Sequence, residues 1–238
     1  GDTGVDGGAG SDTIRFTSVT ADVDDEDFAT VTNDSIEAIE LSGDGNTSIT
    51  LGSSGDAATD GLTITGADQT TASSGDTVNV SGMSEAVTIN AGSGEDVITG
   101  GGGSDTIDAG AGADTLIYAD GADLSGDTGV DGGAGSDTIR FTSATDVDDE
   151  DFANVSGDSI EAIELSGDAD TNLALGASGD AATSGLTITG ADQTGGSGDT
   201  INVSGMSEAV TINAGSGDDV ITGGAGADTL TGGAGNDS

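Results

Sequence analysis

A short apolar–polar–apolar signature recurs along the chain. It reads Ile-Glu-Leu at 39–41, Ile-Thr-Leu at 49–51, Leu-Thr-Ile at 62–64, Val-Asn-Val at 78–80 and Val-Thr-Ile at 87–89. Each triplet has the alternation of a half-buried strand, two aliphatic side chains on one face and a polar one on the other. The inward ends fall at Leu41, Leu51, Ile64, Val80, Ile89, Ile98, Ile107 and Leu116, in steps of 10, 13, 16, 9, 9, 9 and 9. The set returns as Ile-Glu-Leu, Leu-Ala-Leu, Leu-Thr-Ile, Ile-Asn-Val and Val-Thr-Ile across 163–212. The spacing predicts an all-β chain of many short strands, with Thr50, Thr63, Thr88, Thr106 and Thr115 facing outward. Over residues 16–90 a continuous stack of strands with loops of variable length is the favoured reading. A separate small β domain in that stretch is the alternative.

The pattern repeats at two scales. GDTGVDGGAGSDTIRFTS occupies 1–18 and recurs unchanged at 126–143, and VSGMSEAVTINAGSG at 80–94 returns at 203–217. The module is therefore about 125 residues, with one full copy at 1–125 and most of a second at 126–238. Inside the module runs a nine-residue unit: AGSGEDVIT at 91–99, GGGGSDTID at 100–108 and AGAGADTLI at 109–117. YADGADLS at 118–125 is one residue short, GDTGVD at 126–131 keeps a loop and lacks a strand, and GGAGSDTIR at 132–140 restores the full unit. Counted this way, six units run across 91–140. The second copy supplies AGSGDDVIT at 214–222, GGAGADTLT at 223–231 and the truncated GGAGNDS at 232–238. Such phasing of near-identical units marks a stacked repeat architecture. The chain begins and ends inside repeats and reads as a segment of something longer.

Each place in the unit has a physical use. Glycines at the first, second and fourth places permit positive φ and close approach of backbone. Aspartate at the sixth supplies a carboxylate. A β-branched residue at the seventh favours a strand, and the aliphatic eighth points inward. Ala91 and Ala109 replace the first glycine of their units, and Asp127 the second.

Composition narrows the chemistry. The chain has 238 residues, 45 acids and two bases, Arg15 and Arg140, for a net charge of −43. It has no Lys, His, Cys, Pro or Trp. Self-repulsion at that charge opposes compaction, and a polar, highly charged chain stays disordered unless something neutralises it. Hard divalent cations do so through oxygen ligands, and calcium takes about six to eight of them. The usual zinc ligands are missing. With almost no cationic side chains, electrostatic binding of nucleic acid is excluded. The lack of His, Lys and Cys disfavours acid–base and nucleophilic catalysis, so the chain reads as no enzyme. No apolar run is long enough for a membrane span. The acidic run DVDDEDF at 22–28 and 146–152 reads as a solvated loop. Phe28 and Phe152 are expected to anchor that loop to the core, and Arg15 and Arg140 to form rim salt bridges.

The nonapeptide resembles the GGxGxDxUx repeat of RTX proteins, where U is a large aliphatic residue. The resemblance implies an all-β, right-handed parallel β-roll or β-solenoid. Each unit would make one turn and one strand, two units would complete a coil, and calcium would lie between glycine-rich turns stacked on the same side. Alternate units would then share an edge: loops 91–96, 109–114 and 126–131 on one, and 100–105, 118–123 and 132–137 on the other. Carried onto this sequence, the expected carboxylate ligands are Asp12, Asp96, Asp105, Asp114, Asp123, Asp131, Asp137, Asp219, Asp228 and Asp237. The glycines that frame them are Gly92, Gly94, Gly101, Gly103, Gly110, Gly112, Gly133, Gly135, Gly215, Gly217, Gly224 and Gly226. Functionally, the resemblance implies a calcium-stabilised structural segment of a large secreted protein at a bacterial cell surface: a surface layer, an extracellular fibre or filament, or an adhesin stalk. Secretion would be by a type I system, and neighbouring copies of the same protein would be partners through self-assembly. The alternative is the calcium-binding carrier region of a type I-secreted toxin or hydrolase.

Overall fold

A computed structural model describes residues 7–17, 22–29, 36–42, 45–66, 74–143, 146–157, 159–166, 170–190 and 198–238. The chain forms two compact units. One comprises 1–116 with 126–135, and the other 117–125 with 136–238. Residues 1–6, at the start of the first module, lie outside the described residues.

In the first unit, successive strands alternate between two parallel sheets. One sheet contains Thr13–Phe16, Ile36–Leu41, Thr59–Thr65, Thr88–Asn90, Thr106–Asp108 and Gly129–Asp131. The other contains Asp22–Val23, Ser48–Thr50, Thr77–Asn79 and Val97–Thr99. Two strands therefore complete one coil, and the fold is a parallel β-roll. Its core is a set of in-register aliphatic ladders. Ile14, Ile39, Ile64, Ile89, Ile107 and Val130 stack along one sheet. Val23, Ile49, Val78 and Ile98 stack along the other. Most of these side chains are fully buried. The polar residues between them face out, because strand side chains alternate between faces. Strands within 36–90 are thus rungs of the same sheets as the nonapeptide strands at 97–108.

The second unit repeats this arrangement. Thr138–Phe141, Ile160–Leu165, Thr183–Thr189, Thr211–Asn213 and Thr229–Thr231 form one parallel sheet. Asp146–Val147, Asn172–Ala174, Thr200–Asn202 and Val220–Thr222 form the other. Arg15 and Arg140 pair across neighbouring strands with Glu40 and Glu164, so both basic side chains are already matched. Phe28 and Phe152 are buried. They close two 3-10 turns, at Asp25–Phe28 and Asp149–Asn154, which Asp24 and Asp148 cap with reciprocal side-chain hydrogen bonds. Part of the acidic run is therefore structural. Asp149 accepts from the backbone N–H groups of Gly176, Ser178 and Gly179 and secures the helix Ala177–Ala182. Burial pushes the Asp149 carboxyl up, but these donors outweigh it and hold it below the ordinary range.

One stretch departs from the nine-residue count. Residues 118–125 do not form a turn followed by a strand: Tyr118 ends the strand Thr115–Tyr118, and 121–125 lie in the helix Gly121–Gly126, which buries Leu124. In the first unit, residues 126–131 end in the strand Gly129–Asp131, which pairs with Thr106–Asp108.

Candidate metal centre

Several aspartates share one arrangement: the carboxylate reaches to the neighbouring coil and accepts a backbone N–H there through Oδ1. In the first unit Asp76 accepts from Thr47 at 2.9 Å, Asp96 from Asp76 at 2.5 Å, and Asp114 from Asp96 at 2.7 Å. On the opposite edge Asp105 accepts from Val87 at 2.8 Å, and Asp127 from Asp105 at 2.9 Å. In the second unit Asp199 accepts from Thr171, Asp219 from Asp199, Asp237 from Asp219, and Asp228 from Val210. Glu37 and Glu161 take the same part for the N–H groups of Asp12 and Asp137. Each bond satisfies a backbone donor that the turn would otherwise strand.

The two edges differ in their second oxygen. Asp96 and Asp219 are each 1% exposed, and their Oδ2 atoms are buried with no hydrogen-bond partner, as is Oδ2 of Asp12. Asp105 and Asp228 instead use Oδ2 to accept from Gly101 at 3.0 Å and Gly224 at 2.8 Å. The glycines differ too. Gly92, Gly94, Gly110, Gly133 and Gly135 have positive φ in the first unit, and Gly215, Gly217, Gly233 and Gly235 in the second. Gly101, Gly103, Gly224 and Gly226 stay outside that region.

Turns of the positive-φ type stack directly. Ala111 and Gly112 pair with Ala134 and Gly135, and Ser93 bridges to Ala111. A Cβ on Gly112 would overlap the Gly94 carbonyl oxygen, and one on Gly135 the Gly112 carbonyl oxygen. Turn 132–135 therefore shares an edge with 91–96 and 109–114. This corrects the alternation expected from the sequence, which placed it opposite. Residues 126–131 fall on the edge of 100–105. There Asp127, 3% exposed, occupies the ladder position. Asp131 lies on a strand and accepts from Gly133. Asp123 sits in the short helix, where its Oδ2 accepts from the Ala119 N–H. Asp237 is exposed at the last turn.

Burial pushes the carboxyls of Asp96 and Asp114 up from 3.8 to about 6, and neighbouring carboxylates add to the shift; backbone hydrogen bonds offset part of it. Asp219 is raised for the same reasons. A buried anion of this kind calls for a cation, and neither arginine is free to supply one. Among the described residues no three carboxylates converge on one point. An ion here would take one carboxylate per turn and complete its shell with main-chain carbonyl oxygens. That all-oxygen donor set fits a hard cation such as calcium.

Two stretches, 88–124 and 211–238, match the family model of the RTX calcium-binding nonapeptide repeat (4 copies). These two stretches carry RTX calcium-binding repeats, and the strands within them lie in the parallel sheets of the roll. No curated protein and no solved structure matches it. Asp76, Asp127 and Asp199 are ladder members that the nine-residue frame did not single out. The Ser-Gly-Asp-Thr and Gly-Asp-Thr contexts in which they stand were the available signal. Among the described residues no helix is long and apolar enough to cross a membrane.

Proposed function

We propose that this chain is a calcium-stabilised structural repeat segment of a large secreted protein at a bacterial cell surface. The observation that carries the calcium reading is the buried, unpartnered Oδ2 of Asp96 and Asp219 at stacked glycine turns. Asp96 and Asp114 with the carbonyls of the Gly92–Gly94 and Gly110–Gly112 turns would hold ions in the first unit. Asp219 with the turns at 214–219 and 232–237 would do so in the second. When bound, calcium supplies the positive charge that the buried carboxylates lack. The chain's own residues do the rest: the aliphatic ladders set the coil spacing, and the Oδ1 bonds hold each carboxylate against its neighbouring turn.

The structural role is supported by the repetition of an almost unchanged module of about 125 residues, 1–125 and 126–238. Stacked repeats contact mainly their neighbours, which suits a rod whose length is set by copy number. In such a rod the net charge of −43 keeps the metal-free chain open, and the ion couples binding to folding.

Circular dichroism tests this directly. EDTA is expected to convert the chain to a largely unstructured state, and millimolar calcium to restore the β signal. Full β structure in EDTA, or structure gained in molar potassium chloride and not in calcium, would overturn the reading. The surface role is tested on the intact protein by electron microscopy, where sheets or filaments are expected in calcium and dispersed particles would count against it.

A further inference from the structure

We propose that Asn79 and Asn202 are acceptors for an N-linked glycan, one in each copy of the module. The proposal goes beyond the surface role above and does not depend on calcium binding.

Both asparagines open the triplet Asn-Val-Ser, at 79–81 and 202–204, which has the Asn-x-Ser/Thr form of such acceptors. A glycan is bulky and needs a surface position. Asn79 ends the strand Thr77–Asn79 on its outward face, Val80 is buried, and Ser81 is exposed in the turn that follows. Asn202, Val203 and Ser204 repeat this arrangement. The residues beside each asparagine on the neighbouring strands are small and uncharged: Thr50 and Thr99 for Asn79, Ala174 and Thr222 for Asn202.

The carboxamide is held in one orientation. Asn79 Oδ1 accepts the Ser81 N–H, and Asn202 Oδ1 the Ser204 N–H, both at 3.0 Å. This bond draws the hydroxyl-bearing residue against the carboxamide. Among the described residues Nδ2 of either asparagine donates to no partner, so the nitrogen is left over from the structural role. The turn itself is fixed, because Met83 and Met206 donate their N–H groups to the Val80 and Val203 carbonyls. The opposite sheet supplies a contrast. Asn90 and Asn213 also end strands on the outward face, but Ala-Gly follows each, and no hydroxyl stands two residues on.

In the transfer, Nδ2 attacks the anomeric carbon of a sugar carried on a diphosphate. The C–N bond forms as the bond from that carbon to the diphosphate oxygen breaks. The diphosphate leaves with the bonding pair, and one Nδ2 proton passes to a base of the transferase.

Peptide mass spectrometry of the chain isolated from the cells that make it tests the proposal. Peptides holding Asn79 and Asn202 are expected to carry a sugar mass, and those holding Asn90 and Asn213 none. Ser81→Ala removes the hydroxyl and keeps the backbone N–H that Asn79 Oδ1 accepts. It is expected to lose the sugar at Asn79 and retain that at Asn202, and Ser81→Thr to keep both. Bare Asn79 and Asn202, or sugar kept at Asn79 in Ser81→Ala, overturns the proposal. Bare asparagines on a chain recovered from the cell surface leave the surface role standing. A chain found only inside the cells overturns that role, and the mass of its asparagine peptides still decides the proposal. Recombinant, sugar-free chain separates the donors: transfer by washed membranes of those cells marks a lipid-linked sugar, and transfer by their soluble fraction with UDP-glucose a nucleotide-linked one, and either supports the site.

Discussion

Asp114 Oδ1 accepts the backbone N–H of Asp96 at 2.7 Å, so one carboxylate links two coils of the roll. The same side chain is a proposed calcium ligand, and the two roles separate by substitution. Asp114→Ala strands the Asp96 N–H in a buried position, at a cost of about 1–3 kcal/mol. Asp114→Asn keeps an acceptor oxygen. Both variants are expected to raise the calcium midpoint. Urea unfolding in saturating calcium should place the alanine variant below the asparagine variant by about that amount. Coincident curves would show that the hydrogen bond contributes nothing.

Asp96 and Asp105 occupy the same place in adjacent nonapeptides and differ in what Oδ2 meets. Asp96 Oδ2 has no hydrogen-bond partner, whereas Asp105 Oδ2 accepts from Gly101. Asp96→Asn is therefore expected to raise the calcium midpoint several-fold, and Asp105→Asn much less, while losing about 1 kcal/mol of stability from the Gly101 bond. A calcium titration followed by circular dichroism ranks the two. The reverse order would put the ion on the edge of 100–105.

Acid should partly replace calcium. Unfolded carboxyls at these positions titrate at 3.8, and burial raises Asp96 and Asp114 to about 6 in the folded chain. Between those values the folded form binds more protons, so stability falls as pH rises from 3.8 to about 6 and stays low above it. In metal-free buffer the β signal is expected to increase as pH is lowered from 7 to 5. In calcium the trend reverses, because protons compete for the same oxygens, and the calcium midpoint should rise below about pH 6. Metal-free β content that is flat or falls with acid would contradict the burial of these groups.

Much of the fold was legible in the apolar–polar triplets. Their spacing located the inward residues Leu41, Ile64, Ile89, Ile98 and Ile107, all buried, because strand alternation is local. The edge on which each turn lies was not legible past residue 118. That depended on whether YADGADLS forms a turn or a helix, and the burial of Leu124 decided it. Asp127, not Asp131, stands in the ladder. Nor could nine-residue counting separate Asp96 from Asp105. Their difference arises from the coil each turn stacks on, a contact between residues 18 to 20 apart in sequence.

Close stacking of backbone makes the last prediction. Gly112 lies outside the left-handed region, so its requirement for glycine is purely steric: an added Cβ would overlap the Gly94 carbonyl oxygen in the turn beneath. Both atoms belong to main chain held by sheet-like pairing, with no flexible side chain to move aside. Gly102 is a matched control, since a Cβ there would meet the Met83 oxygen at 3.7 Å, an ordinary contact. Gly112→Ala should therefore destabilise the calcium-bound chain by about 1–3 kcal/mol, the usual scale for forcing atoms into a filled space. It should also raise the calcium midpoint, because the turns that would share the ion are pushed apart. Gly102→Ala should leave both within about 0.5 kcal/mol of the parent. Thermal unfolding in calcium measures the first effect and a calcium titration the second. Equal behaviour of the two variants would mean that the turns are not in backbone contact, and with that the stacked arrangement of oxygen donors would fail.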